Sequence, residues 1–329
     1  MKAIVVQEIT KDMSGVAIGD VAKPSPGPGE LLVRVEAAAL NPVDWKLSGG
    51  AFPNWTVPHI IGLDAAGVVE AAGPSVTGWT AGDRVVWHGN LWQPGVFAEF
   101  AVAPAHVVSR IPAEVDAMAA AAVPCAGYTA YQGLVRKARL ERGQVVVVQG
   151  ASGGVGGFGV QIAAGEGATV IALARPEQEA RVRALGAHHV VDYRMPDLRD
   201  RVRALTPDGY GADIMLEVVN PGDARKSLEL LHYNGQLVTV DPLPNLSQTP
   251  AYTYACSLHE VALGGAYGAG HLPTQRDFAR IGDYFMERLA RKTMSPMIEH
   301  AIDFLQIPDY LRRLRDGDIT GKIVARVDG

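Results

Sequence analysis

Apolar positions along the chain follow two patterns, and the change falls near residue 124. Upstream, short apolar runs are separated by turn residues. Residues 31–37 (LLVRVEA) alternate in part, 68–72 (VVEAA) are short and apolar, and 84–87 (RVVW) form another run. Between them lie PSPGPG at 24–29, Gly73-Pro74 and Gly82-Asp83, all with turn chemistry. Such spacing suits a small all-β barrel over 1–123. Residues 117–123 are alanine-rich and Pro124 follows, so the domain junction is placed there.

Downstream, strands alternate with helices. Helices are expected at 127–137, 177–185 (closed by Gly186), 198–205 and 224–231. Apolar strands are expected at 145–148, 172–174, 189–193, 212–219, 235–240 and 258–267. This alternation implies an α/β fold over 124–267, a doubly wound parallel sheet with helices on both faces. Residues 268–329 hold an amphipathic helix at 277–292 and a strand at 322–327, which is expected to return to the first domain.

The stretch VVVVQGASGGVGGFGVQIA at 145–163 organises the second half. Four valines read as a strand buried on both faces. Gly150, Gly153 and Gly156 follow at G-x-x-G-x-x-G spacing, and a helix leaves the turn. A second apolar strand closes about 20 residues later, the interval of a dinucleotide-binding βαβ unit. Because the glycines lack Cβ atoms, the backbone N–H groups of Gly150, Ser152, Gly153, Gly154, Val155 and Gly156 can approach a pyrophosphate, whose charge the helix N-terminus favours.

A chain of 329 residues suits two domains, and 48% hydrophobic with 20% charged residues is a globular composition. The net charge of −5 gives no footprint for nucleic acid or an anionic membrane. No apolar run reaches membrane-spanning length, and Met1 to Val6 begin a strand rather than a signal peptide. Two cysteines, Cys125 and Cys256, cannot build a disulfide framework, so a reducing cytoplasmic location is expected.

Several segments, in this order, resemble the medium-chain dehydrogenases/reductases. Asn41-Pro42-Val43-Asp44 resembles the N-x-x-D segment, and Gly62 to Val69 (GLDAAGVV) the G-x-[DE]-x-x-G-x-V turn. Gly82-Asp83-Arg84-Val85, Gly95 to Glu99 (GVFAE), Gly127 to Tyr131 (GYTAY) and the 150–156 turn match further family stretches. The resemblance implies a GroES-like β-barrel domain plus a Rossmann doubly wound parallel sheet. The family's zinc alcohol dehydrogenases carry Cys, His and Cys ligands where this chain has Asn41, Leu63 and, near the third, Cys125. One thiol cannot hold a catalytic zinc, so no metal is expected and Cys125 is read as a small buried hydrophobe. Asp64 has a plain reading as a turn or strand-end carboxylate. The chain therefore resembles the zinc-free quinone oxidoreductase branch, which includes the ζ-crystallin-like reductases. That branch implies hydride transfer to a quinone or α,β-unsaturated carbonyl, acceptors that carry developing charge with little help. A zinc-free alcohol or ketone reductase is the alternative, as is a non-catalytic NADPH-binding protein.

NADPH is expected over NADH. The second strand ends Ala172-Leu173-Ala174-Arg175, without the acid that would bind a ribose 2′-OH, and Arg175 offers a fork to a 2′-phosphate. A solvated helix-start arginine is the alternative. Tyr193 and Asp241 are placed at the cofactor as well. Candidate donors to the acceptor are Asn41, Lys46 and Thr129, with a turn residue and a surface lysine as the alternatives for the first two. His59 reads as a loop histidine. Trp45, Phe52, Trp55 and Tyr128 are candidates for an apolar pocket around a flat ring. By resemblance the apolar segment at 261–263 lies at the far sheet edge and pairs two copies into a homodimer.

Overall fold

Continuous apolar runs and glycine punctuation produce strands longer than their sequence cores. The partly alternating segment at 31–37 lies inside Glu30–Leu40, an eleven-residue strand whose residues are all buried or half-buried. The computed structural model describes residues 1–51, 55–219, 224–240, 243, 245–247, 249–250, 252–319 and 321–327. Its contacts divide the chain into two units, Met1–Tyr128 with Leu263–Gly329, and Thr129–Ala262.

The first unit is built on a seven-stranded sheet. Its order is Ile298–Asp303, Lys322–Arg326, Glu30–Leu40, Asp64–Ala72, Arg84–His88 and Ser109–Arg110, with Phe100–Pro104 also paired to Glu30–Leu40. A smaller sheet joins Val16–Asp20, Lys2–Val6 and His59–Ile60. Hydrogen bonds do not close these strands into a ring among the described residues, yet the arrangement is that of a GroES-like domain. Strand register brings polar residues together inside this unit. Asp64 lies opposite Ala39 on one side and His88 on the other. Ile323 lies opposite Leu40, which sets Lys322 beside the chain that turns at Asn41.

The second unit is a six-stranded parallel sheet. Its order is His189–Val191, Thr169–Leu173, Val145–Gln149, Ala212–Glu217, Leu231–Thr239 and Ser257–Glu260. In chain order this is 3-2-1-4-5-6, the dinucleotide-binding arrangement. Val147, Ile171, Met215 and Leu237 line one face of the sheet and pack as one core.

Some boundaries differ from the sequence pattern. The strand expected at 258–267 is confined to Ser257–Glu260, and Gly265–Gly268 is helical. The chain turns into that helix at Gly264 and Gly265, and Val261, whose N–H still bonds the Thr239 carbonyl at 2.9 Å, and Leu263 are buried beyond the end of the strand. The helix expected at 277–292 is Leu272–Ala290, because Pro273 in its first turn needs no hydrogen-bond partner for the N–H it lacks. No helix among the described residues is long and apolar enough to cross a membrane.

Candidate active site

In the second unit the glycine turn takes the form that its spacing implies. Gly150 has φ +67°, a conformation that disfavours a side chain. Gly153 N–H bonds the Gly150 carbonyl at 2.9 Å, and Gly153 is the N-cap of helix Gly154–Gly165. A Cβ on Gly156 would stand 2.2 Å from the Gly150 oxygen, so this glycine lets the helix lie against the turn. Ser152, Gly153, Gly154 and Val155 are half-buried and reachable. The turn therefore fits a pyrophosphate held by backbone N–H groups at a helix N-terminus.

Arg175 is exposed immediately past Thr169–Leu173, and among the described residues it has no carboxylate partner. Tyr193 is 45% exposed beyond His189–Val191. It sits between Asp192 and Arg194, which pair at 2.7 Å, and Arg194 holds the Asp192 carboxyl down to about 2. Thr129 is buried and opens the helical stretch Thr129–Tyr131. Asp241 and Phe52 lie outside the described residues.

In the first unit the structure assembles a buried polar cluster around Asp64, whose side chain is fully buried. Its Oδ2 accepts from Asn41 Nδ2 at 2.8 Å, and its Oδ1 meets His88 Nδ1 at 2.9 Å. The Cys125 N–H donates to both oxygens at 3.0 Å. Asn41 Oδ1 accepts from Lys322 Nζ at 2.9 Å, and Asn41 N–H donates to Asp44 Oδ2 at 2.7 Å. Both ends of the Asn41 amide are thus engaged within the protein. Asp44 is also buried, and its Oδ1 has no hydrogen-bond partner among the described residues. Burial pushes the Asp44 carboxyl well above the carboxylate range, and Asp64 adds to this, while the Asn41 N–H and Lys322 oppose it. Lys322 is the cation of the cluster, only 3% exposed. Tyr267 OH donates to the His88 carbonyl at 2.7 Å, and Phe278 meets the His88 ring edge-on at 6.4 Å.

The remaining candidates separate. Lys46 is exposed and Trp45 half-buried on helix Pro42–Lys46. Trp55 stacks on His59 at 4.3 Å and donates its indole N–H to the Leu91 carbonyl. Burial lowers the His59 pKa, so this ring favours its neutral form. Tyr128 does not face an open pocket: it is fully buried against Phe278 and Phe285, and burial raises its phenol far above the ordinary range. Asp64 is no simple turn carboxylate, because the pairing register places it between two strands. Cys125 does more than pack: its N–H caps that carboxylate.

Sequence reading missed His88 and Lys322. Each stands at the end of an apolar strand, where a polar residue ordinarily meets water. Only the strand pairing reveals that both ends turn inward.

The donor atoms of Asp64, His88 and Cys125 lie within 4.8 Å of one another, a spacing a metal ion could bridge. Zinc would need a free carboxylate lone pair, an imidazole nitrogen and a thiolate. Here the carboxylate oxygens already face N–H donors, and His88 Nδ1 is engaged with one of them. Burial, and Asp64 beside it, push the Cys125 thiol well above its ordinary pKa. A metal ion at this spot would have to draw on a carboxylate that these hydrogen bonds already engage.

A pyrophosphate cradle on a parallel sheet of this strand order, in one chain with a GroES-like unit, defines a nicotinamide-dependent oxidoreductase. Family models agree. One described as the alcohol dehydrogenase GroES-like domain matches residues 27–113, and one described as zinc-binding dehydrogenase matches 154–281. The quinone oxidoreductase of Homo sapiens is 32% identical over 238 residues, covering 72% of this chain and 71% of that protein. A mycobacterial structure complexed with NADPH superposes with TM-score 0.87 at 27% identity, over 99% of this chain and 100% of that one. An NAD-dependent alcohol dehydrogenase superposes with TM-score 0.85 at 27% identity, over the whole of both chains. The chain belongs to the quinone oxidoreductase family of the medium-chain dehydrogenases/reductases.

Proposed function

We propose that the protein reduces a quinone or an α,β-unsaturated carbonyl with hydride from NADPH, without a metal. The observation that carries this reading is the Asp64 cluster, where Asn41, the Cys125 backbone N–H and His88 Nδ1 all meet the carboxylate of the one group of metal-binding donors found among the described residues. An acceptor reduced without a Lewis acid must spread its own negative charge. Quinones and enones do so; saturated ketones do not. The human relative's name, quinone oxidoreductase, agrees with that class of acceptor.

When bound, the reduced nicotinamide supplies the hydride. The 150–156 turn holds the pyrophosphate, and Arg175, which lacks a carboxylate partner among the described residues, takes the 2′-phosphate with Tyr193 nearby. The NADPH in the mycobacterial neighbour supports this choice. Asn41 orients Asp64, while Lys46 and Thr129 are the donors proposed for the acceptor oxygen. Trp45 and Trp55 are proposed to contact its ring. The protein is further proposed to act as a cytoplasmic homodimer joined along the Ser257–Glu260 edge of its parallel sheet, with neither nucleic acid nor membrane as a partner.

The test is a side-by-side assay of a quinone, an enone and a saturated ketone with NADPH and NADH, with and without a chelator, alongside metal analysis. Chelator-resistant turnover that favours quinone or enone is expected. Stoichiometric zinc with chelator-sensitive activity, or faster ketone reduction, would overturn the proposal.

A further inference from the structure

The second unit carries a cavity of ≈ 760 Å³ that the hydride-transfer reading does not use. It opens at the N-terminal ends of the parallel strands, where Val145, Asp213 and Leu231 line it. The glycine turn follows the C-terminal end of Val145–Gln149, so the cavity lies at the opposite edge of the sheet. Its volume falls within the range of small-molecule sites.

Its polar groups are unevenly satisfied. Arg199 and Arg203 line it from helix Leu198–Ala204, one turn apart, where like charges repel. Leu198 and Val202 anchor that helix in the core. Arg201, on the same helix, pairs with Asp197 at 2.8 Å, yet among the described residues neither Arg199 nor Arg203 has a carboxylate partner. The Arg203 Nε–H is shielded from solvent and has no acceptor among the described residues. A buried donor left in that state is uncommon in a folded protein.

The acids of the cavity do not answer these arginines. Asp213 accepts the Val145 N–H at 2.7 Å and meets His232 Nε2 at 3.2 Å. Asp208 accepts the Tyr210 N–H at 3.0 Å. Glu229 lies near the Tyr254 phenol, whose pKa burial and Glu229 raise while Arg199, Arg225 and Arg203 pull it down. Three tyrosines complete the lining, and Tyr210 and Tyr233 stand 69% and 60% exposed. Exposed aromatic faces beside unpaired guanidinium groups match a flat ring that bears an oxyanion.

We propose that this cavity is a second ligand site for an aromatic oxyanion, with the anion on Arg199 and Arg203 and the ring against Tyr210, Tyr233 or Tyr254. The anionic group can be a phosphate, as in a nucleoside monophosphate, or a carboxylate, as in a benzoate.

Calorimetric titration of the full chain separates these, run in saturating NADPH and again in saturating NADH so that the glycine turn is filled. The probes are adenosine 5′-monophosphate, salicylate and inorganic phosphate. Saturable binding of at least one aromatic anion is expected, with a tenfold or greater loss in Arg199→Met and in Arg203→Met and an unchanged Michaelis constant for the cofactor. Binding of the monophosphate alone assigns a phosphate ligand; binding of salicylate alone assigns a carboxylate. Should Arg203→Met fail to fold, exposed Arg199 still carries the test. No binding of either aromatic anion, equal binding of inorganic phosphate, or affinity retained in the Arg199 variant would overturn the proposal.

Discussion

At the scale of single residues, the Asp64 cluster balances two buried acids against one buried ammonium. Lys322 reaches Asp64 through Asn41, so its removal strips Asn41 Oδ1 of its donor and leaves the acids without a cation. Lys322→Met keeps the volume and loses the charge. It is expected to destabilise the fold by about 3 kcal/mol, read as a lower urea midpoint; an unchanged midpoint would refute the role. Asp44 gives a pH signature. Its folded pKa is raised above the unfolded value of 3.8, so the folded chain holds this proton more tightly. That contribution is fully present below the unfolded pKa and is lost as pH rises through the raised value. Asp44→Asn keeps an acceptor for the Asn41 N–H but cannot titrate. Wild-type stability should therefore fall relative to the variant as pH rises, and parallel unfolding curves at every pH would contradict this. Arg175→Ala should raise the Michaelis constant for NADPH by roughly tenfold or more, the scale of a lost charge-assisted bond, and leave NADH nearly unchanged. Equal effects on both cofactors would remove Arg175 from the 2′-phosphate.

At the scale of elements, close approach governs the cofactor turn. The Gly154–Gly165 helix meets the turn at Gly156, where a methyl group would stand 2.2 Å from a backbone oxygen, and a methyl group on Gly159 would stand 2.4 Å from the Leu216 side chain. Backbone cannot yield as a flexible side chain can. Gly156→Ala is thus expected to displace the helix N-terminus and weaken cofactor binding tenfold or more, with little change in far-ultraviolet circular dichroism. Full-strength cofactor quenching of tryptophan fluorescence in this variant would show that the turn does not hold the pyrophosphate. The glycine turn was legible because all its determinants lie within a few consecutive residues. The short Ser257–Glu260 strand was not, since its apolar continuation at Val261 and Leu263 is buried where the chain leaves the sheet for a helix.

At the scale of the whole molecule, the parallel sheet leaves Ser257–Glu260 as one of its edges. An unpaired edge exposes a row of donors and acceptors, and a second copy is the ordinary way to cover it. Light scattering at micromolar concentration should give twice the chain mass of 34.9 kDa, and Leu258→Pro should shift the mass toward one chain. A monomer mass for the unaltered protein would dismiss the pairing.

The sequence alone determined the βαβ turn, the succession of strands and helices and the lack of an acid after the second strand. Each of these depends on neighbours close along the chain, through backbone freedom, side-chain periodicity and local charge. The tertiary structure alone decided that Asp64 is a buried hub. Asn41, His88 and Cys125 reach it from three separate segments, and Lys322 joins through Asn41 from 281 positions away. Strand register makes that choice, since a slip of one residue would turn Asp64 and His88 to the other face of the sheet.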